Sequence, residues 1–144
     1  MKVIILAGGK GTRFGELTKK IPKPMIKIHG RPMLIHIISI YASQNFNKFY
    51  IATGHRSKII VDYFKQFQTY KNFYKISGIQ KELEINFINT GVNSMTGGRL
   101  KRLQKYFKKN ENFMLTYGDG LSNVNLKKLK IFHYKKKKLQ QSRQ

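Results

Sequence analysis

Cysteine is absent from the 144-residue chain, which excludes a disulfide framework and any thiolate zinc site. Acidic residues are scarce: 6 Asp+Glu stand against 29 Lys+Arg, a formal net charge of +23. Long apolar runs are missing as well. A stretch such as Val3-Ile4-Ile5-Leu6-Ala7 falls far short of the ~20 residues a membrane-crossing helix needs. That run is broken at once by a Gly- and Lys-rich segment, so the N-terminus does not read as a secretory signal. A soluble, cytoplasmic protein is the expectation. The four histidines, His29, His36, His55 and His133, have no metal-ligand spacing among them.

What is present is enough apolar material for one domain. A chain of this length buries roughly two thirds of its unfolded surface. The positive charge attracts polyanions of any kind at long range. Its lysines are scattered along the whole chain rather than gathered on one stripe, and no groove-fitting helix or aromatic platform stands out. A specific nucleic-acid partner is therefore not expected.

Two periodicities alternate along the sequence. Residues 2–7 form a continuous apolar run ending in small residues, as a buried parallel strand requires. Residues 48–53, 83–88 and 112–117 read as further strands. Helical spacing appears over 33–44, with Met33, Ile37, Ile40 and Tyr41 on one face. It recurs over 57–67 with Ser57 as N-cap, over 99–109, and from near Asn123. Residues 21–24, Ile21-Pro22-Lys23-Pro24, are expected to be extended, because each proline disfavours helix in its predecessor. Residues 68–81 read as irregular and polar. The order β-α-β-α-β-α-β-α predicts an α/β fold, a mostly parallel sheet with helices on both faces. Ligands of such sheets sit at the carboxyl ends of the strands, which directs attention to residues 8–24, 54–57, 89–98 and 118–122.

The first of these loops is the most informative. Gly8-Gly9-Lys10-Gly11-Thr12-Arg13 follows the first strand directly. Glycines there let the backbone approach a ligand and turn N–H groups toward phosphate oxygens. It is not a Walker A loop, since Gly11 is followed by Thr12-Arg13. It is not the dinucleotide fingerprint either: position 14 is Phe, and no acidic residue lies between 17 and 61. Lys23, held between two prolines, offers a positioned ammonium for a phosphate. Asp119, flanked by Gly118 and Gly120, ends a strand, and a carboxylate there calls for a cation.

The stretch Leu6-Ala7-Gly8-Gly9-Lys10-Gly11-Thr12-Arg13, followed by Pro22-Lys23-Pro24-Met25, resembles the sugar-1-phosphate nucleotidyltransferases. Thr90-Gly91, Ser94-Met95-Thr96-Gly97-Gly98-Arg99-Leu100-Lys101-Arg102 and Thr116-Tyr117-Gly118-Asp119-Gly120 look like the branch that uses CTP and glucose 1-phosphate. The resemblance implies a Rossmann-like, nucleotide-diphospho-sugar transferase fold. It also implies transfer of a cytidylyl group to give CDP-glucose and pyrophosphate, feeding bacterial cell-surface polysaccharide such as O-antigen. Thymidylyl or uridylyl transfer to the same sugar phosphate, or a non-catalytic nucleotide-binding remnant, are the alternatives.

By resemblance, Leu6, Ala7, Gly8 and Gly9 meet base and ribose. Lys10 belongs to the same nucleotide-binding loop, and Gly11, Thr12 and Arg13 cradle the triphosphate. Arg13 and Lys23 are the catalytic candidates. Ser94, Arg99 and Gly118 are nucleotide-contacting, and Asp119 is a ligand of Mg²⁺. An anion beside Arg99 is expected, because a cation at a helix start opposes the helix dipole.

The resemblance covers residues 1–133, leaving 134–144 as a basic tail outside the family pattern. Family members are about twice as long, so the sequence reads as a truncated product with the C-terminal half of the fold missing. An exposed edge strand and apolar face, self-association into a homo-oligomer, and impaired activity are expected from that reading.

Overall fold

The computed structural model describes residues 1–11 and 20–141. Among them a six-stranded sheet forms the centre of the molecule, in the order β5-β6-β7-β4-β1-β8. Here β1 is Lys2–Leu6, β4 Lys48–Thr53, β5 Gln68–Tyr70, β6 Phe73–Tyr74, β7 Leu83–Asn89 and β8 Phe113–Tyr117. The small pair β2 (Lys27–Ile28) and β3 (Arg31–Pro32) lies apart from it. The helices are α1 (Met33–Ser43), α2 (Ser57–Lys65), α3 (Thr96–Leu103) and α4 (Leu126–Gln141).

β1 pairs in parallel with β4 on one side and β8 on the other, and β4 pairs in parallel with β7. The apolar run of β1 is buried on both faces, as a central parallel strand requires. Val3, Ile5 and Ala7 face one core cluster, with Leu34, Ile35, Ile37, Ile38, Ile60 and Phe64 from α1 and α2. Ile4 and Leu6 face the other, under Leu103 of α3 with Leu100, Tyr106 and Phe107 packed against it. Helices therefore cover both faces of a mostly parallel sheet.

The chain runs from β1 outward through β4 to β7, then crosses back to β8 on the far side of β1. The strand order reverses between β1 and β8. That reversal opens a crevice at their carboxyl ends, the usual ligand position in such sheets.

Several local expectations are corrected. Residues 68–74 are not irregular: β5 and β6 form an antiparallel hairpin that extends the sheet beyond β7. Behind it, Tyr74 and Ile76 are core residues. The most buried side of α1 is Leu34, Ile35, Ile37 and Ile38; of the stripe read from sequence Ile37 is among them, and Met33 and Tyr41 pack against the core, partly buried. Ser57 is the first residue of α2 and not its cap; Arg56 takes that place with φ +50°. The Ser57 hydroxyl donates to Thr53 Oγ1 at 2.8 Å. The third helix starts at Thr96 and ends at Leu103, where a 3₁₀ turn over Gln104–Tyr106 takes over. The last starts at Leu126, where Asn125 Oδ1 accepts from Lys128 N at 2.9 Å as an N-cap. It runs on through 134–141.

Phe113, Leu115 and Tyr117 of β8 are exposed, as are Leu129, Ile131 and Phe132 of α4. No helix among the described residues is long and apolar enough to cross a membrane.

Candidate functional site

At the switch point the backbone of Ala7 is still held by the sheet, its N–H donating to Ala52 O at 2.9 Å. The chain then leaves as Gly8, Gly9, Lys10 and Gly11, the last at φ +64°, a backbone state that favours glycine. On the other side, Gly118 N donates to Leu6 O at 2.9 Å and prolongs the β1–β8 ladder by one step. A Cβ on Gly118 would stand 2.8 Å from Pro24 Cγ. Glycine is thus what lets the Pro22–Met25 segment lie against the end of β8. That segment is not extended throughout: Pro22 is (ψ 139°), but Lys23–Met25 closes one 3₁₀ turn through Met25 N to Pro22 O at 2.8 Å. Pro24 fits there because the start of a turn needs no N–H from it.

Between these segments lies a cleft of about 370 Å³. Its lining joins Leu6, Ala7, Gly8, Gly9 and Gly11 behind β1, Lys23 and Pro24, and Tyr117, Gly118 and Asp119 behind β8. Ser94, Met95, Thr96 and Arg99 close the remaining side. Lys23 Nζ meets Asp119 Oδ2 at 2.5 Å, with both side chains partly open to solvent. A larger groove of about 1290 Å³ lies between α3 and β8, under Leu100, Leu103, Phe107 and Phe113. No glycine lines it, and neither Lys23 nor Asp119 does.

Arg99 is nearly enclosed, 4% exposed. Its Nη1 donates to Thr90 Oγ1 at 2.6 Å, Gly91 O at 2.9 Å and Thr53 O at 3.3 Å, and its Nη2 to Gly8 O at 2.7 Å. These acceptors are neutral oxygens, so the burden of a cation in the first turn of α3 is met by backbone carbonyls and a hydroxyl of this chain. Burial, and next to it the charge of Arg102, pull the guanidinium below its ordinary pKa. Ser94 donates to Thr90 O at 2.5 Å and holds the same loop.

The structure thus brings ten of the thirteen site residues read from sequence to one cleft: Leu6, Ala7, Gly8, Gly9, Gly11, Lys23, Ser94, Arg99, Gly118 and Asp119. Lys10 is exposed and outside that lining. Thr12 and Arg13 lie outside the described residues. Pro24, Met95, Thr96 and Tyr117 complete the wall and were not singled out as site residues. Pro24, Met95 and Tyr117 are direct chain neighbours of site residues and Thr96 is two positions from Ser94, which is the signal the sequence offers.

Among the described residues, no group of three or more His, Asp or Glu could cage a metal alone. Asp119, the one carboxylate of the cleft among the described residues and partly exposed, suits a cation that keeps waters and shares phosphate oxygens, as Mg²⁺ does.

Comparison with known proteins gives the family. The family described as nucleotidyl transferase matches residues 2–142. A probable glucose-1-phosphate cytidylyltransferase of Bacillus subtilis is 39% identical over 94% of this chain and 57% of its own length. A glucose-1-phosphate cytidylyltransferase of Salmonella typhimurium is 37% identical over 92% of this chain and 56% of its own. The crystal structure of HddC from Yersinia pseudotuberculosis complexed with GMP-PN superposes with a TM-score of 0.70 at 27% identity, covering 89% of this chain and 52% of that one. The chain therefore spans little more than half the length of the curated relatives it matches. With strand order, cleft and family match in agreement, the chain belongs to the nucleotidyl transferase family.

Proposed function

We propose that the cleft at the ends of β1 and β8 binds CTP and serves the transfer of its cytidylyl group to glucose 1-phosphate, giving CDP-glucose and pyrophosphate. The observation that carries this reading is the meeting of Lys23 and Asp119 at a glycine-lined crevice on the topological switch point. The named activity of the Bacillus and Salmonella relatives supports the choice of base and sugar.

In this reading a phosphate oxygen of the sugar phosphate attacks the α-phosphorus, and the bond from that phosphorus to the pyrophosphate oxygen breaks. No covalent enzyme intermediate is needed, so the protein supplies position and charge. The backbone at Leu6, Ala7, Gly8 and Gly9 approaches base and ribose. Gly11, with Thr12 and Arg13, surrounds the triphosphate. Lys23 sets its ammonium beside the α-phosphate and the incoming phosphate. The N-terminus of α3, where Met95 and Thr96 line the cleft, adds peptide N–H groups suited to an anion. Asp119 would hold Mg²⁺ together with the triphosphate, and the ion's contribution when bound is to neutralise phosphate charge.

The test has two steps. Calorimetric titration of the purified chain with CTP, UTP, dTTP and GTP is expected to give the tightest binding for CTP. GTP belongs in the set because the HddC structure carries a guanine nucleotide analogue. Pyrophosphate release is then followed with Mg²⁺ and glucose 1-phosphate. Release that prefers CTP and disappears in Asp119→Ala supports transfer. Tight CTP binding without release supports the non-catalytic reading, and no binding of any nucleotide overturns the assignment of the cleft.

A further inference from the structure

The ends of β1, β4 and β7 lie side by side, with Thr53 Oγ1 donating to Ile88 O at 3.2 Å and Thr90 Oγ1 to Thr53 O at 2.8 Å. They are loops of small residues: Gly8 after β1, Thr53-Gly54 at the end of β4, Thr90-Gly91 after β7. One side chain reaches all three. Arg99 arrives from α3 and donates to Gly8 O, Thr53 O, Thr90 Oγ1 and Gly91 O. Thr53 and Thr90 are themselves buried. Two of these carbonyls also take part in the links between neighbouring strand ends. His55 N donates to Gly8 O at 3.2 Å, and Thr90 N to Thr53 O at 2.9 Å.

The glycines fit the same arrangement. A Cβ on Gly8 would lie 2.1 Å from Arg99 Nη1 and 2.6 Å from Cζ. A Cβ on Gly54 would lie 2.7 Å from Nη1 and inside contact with the carbonyl oxygens of Gly91 and Gly8. The guanidinium therefore occupies the volume that side chains at 8 and 54 would need. Only a flat fork with several N–H donors serves acceptors spread over three strand ends; an ammonium is a compact point with three.

From this we infer that Arg99 is a positioning residue: it locks the ends of β1, β4 and β7 into one rigid floor beneath the cleft, and Gly8 and Gly54 are glycine to admit its guanidinium. Its importance for ligand binding rests on the nucleotide reading given above; the lock itself does not. The function is pre-organisation. Gly8 has no side chain to anchor it, and Arg99 sets its carbonyl before the ligand arrives.

Hydrogen exchange of the ligand-free chain reads the lock directly, at the amides of His55 and Thr90. In Arg99→Ala both are expected to exchange about tenfold faster or more, measured against amides inside the β1–β4 ladder. Arg99→Lys is expected to fall between, and it carries the same measurement should Arg99→Ala not fold. Unchanged exchange at His55 and Thr90 in the folded variant overturns the proposal.

The steric half is read by melting. Gly8→Ala is expected to lower Tm less in the Arg99→Ala background than in the wild type, because the two nearest atoms it strikes are gone and only the Thr53 backbone carbon at 2.9 Å remains. Equal drops overturn that half. CTP affinity separates this proposal from the one it rests on. Loss of affinity together with faster exchange is the expected result. Loss of affinity with exchange intact makes Arg99 a direct ligand contact and overturns the positioning role. A wild-type chain that binds no CTP sinks the nucleotide reading, while the exchange result still decides the lock.

Discussion

Lys23 and Asp119 meet at 2.5 Å from two adjoining segments of the cleft, one from the turn after Pro22 and the other from the turn behind β8. The pair sets the sign of a ligand experiment. A triphosphate entering the cleft competes with Asp119 for the Lys23 ammonium, and a divalent cation relieves that competition by taking the carboxylate. Asp119→Asn is therefore expected to bind CTP more tightly than the wild type without Mg²⁺, and to gain less from its addition. The shift at a partly exposed site is a few-fold to about tenfold, as Coulomb energies at high effective dielectric allow. Titration with and without Mg²⁺ checks it. A gain from Mg²⁺ as large in Asp119→Asn as in the wild type would remove Asp119 from the cation's environment.

Lys23→Ala acts the other way. It removes a positive charge from the cleft and leaves Asp119 facing the phosphates. CTP affinity is expected to fall by about tenfold or more, since a charged hydrogen bond contributes roughly 1.5–3 kcal/mol. The loss should shrink in the double variant with Asp119→Asn, because the repulsion left behind has gone. Additive losses in that cycle would mean the two side chains do not share a ligand.

Away from the cleft, Glu84 on β7 accepts from Lys48 of β4 at 2.8 Å and from Asn72 and Asn86 at 3.2 Å each. Burial alone would raise its pKa, but the hydrogen bonds of Lys48, Asn86 and Asn72 outweigh it and hold the carboxyl below 4.5. A depressed carboxyl stabilises the fold fully above its unfolded value and loses that contribution as pH falls through the lower folded value. Glu84→Gln should therefore be less stable than the wild type at neutral pH by about 1 kcal/mol, a charged network discounted for partial exposure. The gap should close progressively below pH 4.5. Urea midpoints at several pH values read this. A gap constant down to pH 3 would show that the charge of Glu84 is not what stabilises.

These sites differ in how far the sequence displays them. The strands that carry the cleft are plain in it, because a run such as Val3-Ile4-Ile5-Leu6 has only one environment that suits it, the middle of a parallel sheet. The Gly-rich loop and Lys23 are legible for a local reason too: glycine opens backbone states closed to other residues, and proline fixes its own. The β5–β6 hairpin was hidden. Gln68, Thr69 and Tyr70 are exposed and its pairing carries a register shift, so no alternation of apolar and polar residues marks it. Arg99 was visible as a cation at a helix start, but its acceptors come from residues 8, 53, 90 and 91. No pattern along the chain announces such a convergence. The contact of Lys23 with Asp119 was hidden likewise: each was singled out alone, and only the crossing back from β7 to β8 brings them together.

Two glycines of the cleft separate packing from ligand approach. Gly118 is hemmed in: an added Cβ meets Pro24 Cγ at 2.8 Å and Leu6 O at 3.2 Å. Gly118→Ala must push the Pro22–Met25 segment off the end of β8, at a cost of about 1–3 kcal/mol for overpacking. For a domain of this size that lowers Tm by several degrees. Gly9 is the converse, since no described residue lies within 4 Å of its added Cβ. Gly9→Ala is expected to keep Tm within a degree or two, as open positions vary by about 0.5 kcal/mol or less. Its methyl would nevertheless stand in the cleft, where the backbone is proposed to approach the nucleotide. CTP affinity in Gly9→Ala should then fall about tenfold or more while stability holds, a combination that loss of folding cannot produce. Calorimetry beside a thermal melt on one sample gives both numbers. Unaltered affinity in Gly9→Ala would mean the nucleotide does not come close to this loop, and the base and ribose would have to be placed elsewhere along the cleft.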